Sequence, residues 1–409
     1  MILSHKLHAR DKPRNAVVSN VPFFHYGRAA SGKYINPRTA MTVSAVYACV
    51  RVIAETMASL PLNVYERTER GRKETDIPLQ FILHDEPNKE MTSFQYREAM
   101  FTHLLLWGNS YTQTIRNKMG KIISLYPLLP DMMTVTRDDN TNELVYTYTN
   151  MSGKSYVLDP DFDVMHIPGL GFDGIIGYSP IALARDSIGL AKSSEEYGGS
   201  FFANGARPSG VLTHPGTVKD PARLRQSWEN AYGGSNNTGK TIVLEEGMTY
   251  HQISIPNSEA QFLETRKFQV EDICRIFRVP PHLIAALDHA TFSNIEHQSI
   301  EFVEHTIRPW AVRVEQSMNR ILFNDAEKKR YYIKFNLDGL LRGDYKSRME
   351  GYAIGRQNGW MSANDIRELE EMNLIPKDEG GDLYLVNGNM IPITGTPTMQ
   401  GKEDEKSDA

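Results

Sequence analysis

The chain has 409 residues, 40% hydrophobic and 23% charged, with a formal net charge of −5. That length supports more than one core, the acidic balance excludes the basic surface of a tight nucleic-acid binder, and no run approaches the roughly 20 apolar residues of a bilayer crossing. The two cysteines, Cys49 and Cys274, fall at apolar positions of predicted helices, a pattern of buried thiols rather than of a disulfide or metal framework.

Residues 1–40 lack periodicity, and their basic residues outnumber the single acid, Asp11, so they read as a mobile arm. They hold no apolar stretch long enough for a secretory signal, which makes the cytoplasm of the producing cell the default compartment. Over residues 44–60, Val46, Tyr47, Val50, Ala54 and Met57 recur at helical steps, and Pro61 stops the helix ahead of the strand LNVYE. A second helix is predicted over 93–106. From 110 to 166 the period changes to two, in SYTQTIR, KIISLYPL, MMTVTR, ELVYTYT and KSYVL, with turn clusters at 117–120, 138–142 and 150–153. This predicts an antiparallel meander.

Ser179 stands where an N-cap belongs and Pro180 where a first helical residue belongs, so a long helix is predicted over 180–204. Residues 208–258 form a small α/β insert, with strand GVL, helix DPARLRQSWENAY and strands TIVLEE and TYHQISI. The next helix, 261–277, ends before Val279-Pro280-Pro281, because the residue ahead of a proline is pushed out of helical geometry.

Residues 293–323 carry the strongest pattern. Ile300, Val303, Ile307, Trp310, Val314, Met318 and Ile321 are spaced to lie on one stripe of a helix opened by the capping box Ser293 and Glu296. At about 1.5 Å per residue the helix runs on the order of 45 Å, and Pro309 predicts a kink one turn earlier by deleting a backbone bond near His305. A strand YYIKFNL, helices over 342–358 and 362–372, and an acidic tail over 393–409 complete the chain.

Four motifs suggest other chemistry, and their context argues against it. Gly234 to Thr241 matches the P-loop pattern, with Gly239, Lys240 and Thr241 as its functional end, but a helix precedes it and a strand follows, the reverse of the order that aims backbone N–H groups at phosphate. Gly169, Gly171 and Gly174 fit a dinucleotide fingerprint whose helix starts too late, so they read as a flexible joint. Asp159, Asp161 and Asp163 lack the glycine and glutamate of a calcium loop and read as solvated turn acids. His297, Glu301 and His305 share a helix face of the kind that can hold a metal, but a polar face opposite the apolar stripe explains the same residues and is the preferred reading. No nucleophile elbow, zinc spacing or catalytic carboxylate pair stands in a supporting context.

Several blocks together resemble the portal proteins of tailed phages with long non-contractile tails. They are TVSAVYACVRVIAETMASLPLNVYE (42–66), MTSFQYREAM with LLLWGNSY (91–111), SLYPLLP (124–130), FFANGARPSGVL (201–212), KFQVEDICRIFRVPPHLI (267–284), HATFSNIE (289–296) and FNLDGLLRGD (335–344). The resemblance implies an α+β portal-type subunit that forms a ring, usually a dodecamer, at one capsid vertex for DNA packaging, ejection and tail attachment. It divides the chain into a mobile arm (1–40), wing (41–178), stem helix (179–207), clip (208–258), second stem helix (259–285), tunnel loop (286–294), tunnel helix (295–324), wing strand (325–341), crown (342–392) and tail (393–409).

By the same resemblance Asp288, His289, Ala290, Thr291, Phe292, Ser293 and Asn294 line the narrowest part of a DNA channel, although Phe292 lacks the hydroxyl expected of an aromatic there. The implied partners are further copies of the chain, double-stranded DNA in transit, a terminase packaging ATPase docked on the clip, head-completion or adaptor proteins and the major capsid protein. No membrane, cofactor or catalysis by this chain is implied, and the implied location is the virion, with the host cytoplasm during assembly. The two rival classes are a P-loop enzyme, tested by ATP titration against Lys240→Ala, and a non-viral scaffold, which forms no closed rings.

Overall fold

A computed structural model describes residues 25–68, 71–138, 140–203, 210–232, 243–244, 247–252, 259–286, 292–341, 345–370 and 372–385. The chain divides into two units, residues 1–337 and 338–409.

The first unit is nucleated by helices α1 (Ser44–Ser59) and α2 (Ser93–Trp107), which pack on one another. The predicted face of α1 is buried through Val46, Val50, Ala54 and Met57, whereas Tyr47 lies outside it and is exposed. Helix α2 is framed by local signals. Thr92 and Gln95 form a reciprocal capping box, and Gly108 closes the end at φ 75, a left-handed conformation suited to glycine.

Strands β1 (Leu62–Thr68) and β2 (Gly71–Glu74) follow α1. After α2 come β3 (Asn109–Arg116), β4 (Ile122–Leu128), β5 (Met133–Arg137), β6 (Leu144–Thr149), β7 (Ser155–Leu158) and β8 (Val164–Pro168). The predicted meander is instead two antiparallel three-stranded sheets, ordered β8-β3-β4 and β5-β6-β7. The 3-10 turn Pro130–Met132 breaks the run between β4 and β5, and β8 then takes the free edge of β3. The turns between strands are as expected: Asn117 and Asn150 each accept backbone N–H groups from two and four residues on.

The predicted helix over 180–204 is divided. Ser179 caps a short turn Pro180–Leu183, and the helix proper, α3, spans Arg185–Ala203. The insert contributes β9 (Gly210–Thr213), α4 (Pro221–Tyr232) and β10 (Thr249–Gln252), with β9 and β10 antiparallel. Of the segment TIVLEE only Val243 and Leu244 are described, and neither is in a strand. Helix α5 (Glu259–Phe277) returns antiparallel to α3, since Ser194 meets Gln269 at 2.9 Å while Tyr197 meets Phe262 at 5.7 Å between ring centroids. Cys274 on α5 lies against Cys49 on α1, both buried free thiols, as the sequence implied.

Two more helices, α6 (Phe292–Phe302) and α7 (Arg308–Ile321), lead to β11 (Tyr331–Phe335), which pairs antiparallel with β1 in a sheet ordered β11-β1-β2. The outer edge of β11 is covered by α7. Ile333 N donates to Asn319 Oδ1 at 2.8 Å, Asn319 Nδ2 donates to Ile333 O at 3.2 Å, and Phe335 N donates to Glu315 Oε1 at 2.9 Å. Side chains one helical turn apart thus occupy a strand edge that would otherwise be open to further pairing. Asn319→Leu is expected to lower stability by about 2 kcal/mol, since it strands two backbone groups, and a chemical denaturation curve measures it.

The second unit holds α8 (Tyr345–Gln357) and α9 (Ala363–Leu369), the latter opened by a Ser362–Asp365 capping box. Glu370 joins the helices by accepting from Arg348 Nη2 at 3.1 Å and from the Tyr352 hydroxyl at 2.9 Å. Asn364 pins the following loop through both backbone groups of Ile375.

Candidate channel-lining segment

The long predicted helix is present, and its bend has a defined cause. Between α6 and α7, residues Val303–Ile307 form one π-helical turn in which Arg308 N donates to Val303 O, five residues back. Pro309 follows at once. Having no N–H, it leaves the His305 carbonyl without its helical partner, and the wider turn makes room for the proline ring. Arg278 Nη1 approaches that carbonyl at 3.5 Å.

The inserted residue also rotates the buried face. Val303, Ile307, Val314 and Met318 are buried as predicted, but Ile300 is 43% exposed, and Ala311 takes the core position expected of Trp310. The same shift breaks the regular spacing of His297, Glu301 and His305. Among the described residues no group of three His, Cys, Asp or Glu side chains could hold a metal ion.

Upstream, α5 ends on Arg278 in the left-handed region at φ 55, and Val279 N closes the end by donating to Cys274 O at 3.0 Å. Thr306, in the π turn, donates to Arg278 O at 2.6 Å and so ties this cap to the bend. A 3-10 turn, Pro281–Ile284, then presents His282 to α6, with Nδ1 donating to Gln298 Oε1 at 2.8 Å and Nε2 accepting from Ser299 Oγ at 3.4 Å. The 3-10 turn and α6 are thereby tied to one another.

Asp288, His289, Ala290 and Thr291 lie outside the described residues. Phe292, Ser293 and Asn294 fall in the first turn of α6, so the helix starts at Phe292, ahead of the predicted Ser293 cap. The P-loop match 234–241 also lies outside the described residues.

Three contacts bind the bent helix to the sheets, and sequence reasoning missed all of them. Arg313 Nη1 donates to Pro168 O and Gly169 O at 2.7 and 2.8 Å, at the end of β8. Arg116, on β3, donates to Ile321 O at 2.8 Å and so caps the C-terminus of α7. Glu315 and Asn319 hold β11 as described. Burial lowers the pKa of Arg313 and Arg116 and raises that of Glu315. The one available signal was positional: Arg278 sits just past a helix end and ahead of Pro280, where a left-handed cap belongs.

A cleft of about 510 Å³ opens between α2, α5 and the bend, lined by Leu105, Ile276, Arg278, Pro309 and Trp310 among others. Neither of the strongly shifted histidines, His103 and His166, lines it. The arrangement braces a helix.

The glycine-rich joint is closed rather than loose. Gly169 N donates to Gly108 O at 2.7 Å and Tyr178 N to Leu170 O at 2.7 Å, and a Cβ on Gly177 would collide with the backbone of Gly108 and Gly169. Asp159 folds a turn by accepting from Asp161 N and Phe162 N, as expected of a turn acid. No helix among the described residues is long and apolar enough to cross a membrane.

Antiparallel sheets, a returning helix pair with a small α/β tip, and a braced, bent helix are the architecture of a portal-type subunit. The family described as "Phage portal protein" matches residues 44–371, and the chain belongs to it. It is 39% identical over 383 residues to a probable portal protein of Streptomyces phage phiC31, covering 90% of this chain and 83% of that one. Identity to the portal protein of Enterobacteria phage HK97 is 34% over 371 residues, covering 89% and 86%. Among solved structures, the neck of a native gene transfer agent particle computed with C12 symmetry matches at a TM-score of 0.55 and 22% identity, covering 86% of this chain and 97% of that one. The protein is thus a structural component of the virion, the head-tail connector at the capsid vertex through which the genome is packaged and ejected.

Proposed function

We propose that copies of this chain close into a dodecameric ring whose hole carries double-stranded DNA, with residues 288–294 facing the duplex. The observation that carries this reading is the bent helix, whose N-terminal approach is pinned by His282 to Gln298 and whose bend is pinned by Thr306 to Arg278. Such bracing fits a short polar segment held at a fixed radius, where His289, Thr291, Ser293 and Asn294 exchange weak contacts with a sliding polyanion. A net charge of −5 suits a conduit that must not hold its cargo. The C12 symmetry of the similar neck supports a ring of identical subunits joined by heterologous interfaces, which close only when the rotation does.

On this reading the antiparallel sheets form the wing, α3 and α5 the stem, the α4 insert the clip, and α8 with α9 the crown. The energy for DNA movement comes from a terminase ATPase docked on the clip, and head-completion proteins and the major capsid protein are further neighbours. Assembly takes place in the host cytoplasm.

Replacing residues 291–294 with a Gly-Ser segment of equal length is expected to reduce the yield of DNA-filled particles to background while rings still form. Negative-stain microscopy and a nuclease-protection packaging assay measure the two outcomes. Loss of rings would make these residues structural and defeat the channel assignment.

A further inference from the structure

The sheet β11-β1-β2 carries an arrangement that ring formation does not call for. In the β1/β2 register Arg67 lies directly opposite Arg72, and both are exposed. Like charges at directly opposed positions destabilise a ladder. Here each guanidinium is laid on a tyrosine: Arg67 sits 4.6 Å from the ring centroid of Tyr332, and Arg72 sits 4.7 Å from that of Tyr65. The two rings stack on each other at 5.6 Å with an interplanar angle of 27°, and Tyr65 and Tyr332 are cross-strand partners. The result is a four-membered stack, Arg67–Tyr332–Tyr65–Arg72, with a cation at each end.

Among the described residues neither guanidinium makes a hydrogen bond or an ion pair. The nearby carboxylates are otherwise engaged. Glu74 accepts from Asn63 Nδ2 at 3.0 Å, and Glu66, on the opposite face of the sheet, is held by Arg330 at 2.6 Å. Lys334, exposed and opposite Asn63 on the same face, adds a third cation. A guanidinium held over a ring has less rotamer freedom to lose, and its planar fork of N–H donors suits bidentate contact to phosphate oxygens.

We propose that Arg67 and Arg72 form a phosphodiester-binding site, a contact between the sheet and the DNA backbone separate from the channel segment. The proposal rests on the DNA-conduit reading. A carboxylate-rich protein segment would meet the same charge, but DNA is the polyanion this protein handles, and a planar guanidinium without an anionic protein partner among the described residues suits phosphate oxygens. One copy of the site grips weakly and reads no sequence, whereas a ring of copies repeats it and adds avidity.

The test uses the assembled full-length protein, a fluorescein-labelled DNA duplex and anisotropy titrations between 50 and 200 mM salt. Wild type is compared with Arg67→Gln/Arg72→Gln and Arg67→Lys/Arg72→Lys. Removing two phosphate contacts should reduce the slope of log affinity against log salt by about 1.8 for each engaged copy, so that wild type loses about tenfold or more additional affinity relative to the Gln variant across that range. The Lys variant should keep the wild-type slope, because charge is retained, while binding less tightly. Circular dichroism of both variants separates loss of binding from misfolding, and the Lys variant keeps the test decisive where the Gln variant misfolds.

Equal slopes and affinities for all three proteins overturn the proposal. So does weakened binding of a poly-glutamate peptide by the variants with duplex binding unchanged, since that result assigns the site to an acidic protein. Negative-stain images of the same samples separate the two failures: absence of wild-type rings removes the ring reading, whereas intact rings with equal slopes remove only this site.

Discussion

Replacing Asn109 with leucine is expected to lower the unfolding free energy by about 4 kcal/mol, through four hydrogen bonds, two of them buried and two half-buried. Its Oδ1 accepts from Gly177 N at 2.8 Å and from His166 Nε2 at 3.0 Å, while its Nδ2 donates to Gly177 O at 2.6 Å and to Trp107 O at 3.3 Å. One amide therefore ties the end of α2, the ring on β8 and the loop that leads to α3. Leucine has a similar volume but leaves both backbone groups of Gly177 unpaired where no side chain can move in, because Gly177 already touches the backbone of Gly108 and Gly169. Asn109→Asp is the discriminating companion. It keeps the acceptor but turns a carboxylate toward Gly177 O, so it should be nearly as damaging at neutral pH and partly recover in mild acid. Denaturant midpoints of the three proteins at two pH values decide it, and a loss under 1 kcal/mol for leucine would show that the loop closes without this amide.

The contrast between Asn109 and the helix boundaries shows which parts of the structure can be read from order along the chain. Thr92 with Gln95, Ser179 with Pro180, and Ser362 with Asp365 are signals spanning four residues or fewer, and each marks a helix start in the structure. The energies concerned are local, so the sequence displays them directly. Pro309 predicted a bend but not its form. The π turn follows only when the helix must bury Ala311 and Met318 after the proline has removed a bond, and that requirement comes from the strand and sheet packed beside it.

Pairings between distant segments were not legible. Strand β11 joins β1 across more than 250 residues of chain, and neither strand's alternation specifies its partner, since period two fixes a face and not a neighbour. The same holds for the candidate segment. Its polar composition and its place before a long helix could be read from sequence. Apart from the position of Arg278 just past a helix end, its anchors at Arg278, His282 and Thr306 could not, because each acts through a contact with an element folded elsewhere.

Acid is expected to weaken the fold before it protonates most carboxylates, through two enclosed histidines. Burial lowers the pKa of His166 to about 3 and that of His103 to about 4, against an ordinary value of 6.5. For His166 the contacts require the neutral ring, since Nε2 donates to Asn109 and Nδ1 accepts from the Tyr146 hydroxyl at 3.1 Å, with Tyr111 stacked at 4.4 Å. The unfolded chain takes up protons at these two positions as pH falls below about 6.5, and the folded chain does not. Stability is therefore complete above that pH and is lost as pH falls, by roughly 1.4 kcal/mol per pH unit for each histidine, ending near pH 4 for His103 and pH 3 for His166. Glu315, whose pKa is raised by burial, acts with the opposite sign and offsets part of the loss at the acid end. Denaturant midpoints at pH 7, 6 and 5 should fall steadily in the wild type, and His103→Gln should remove about half of the slope. Midpoints that stay level from pH 7 to pH 5 would mean that both rings accept a proton inside the fold, and the neutral assignment of the His166 contacts would fail with them.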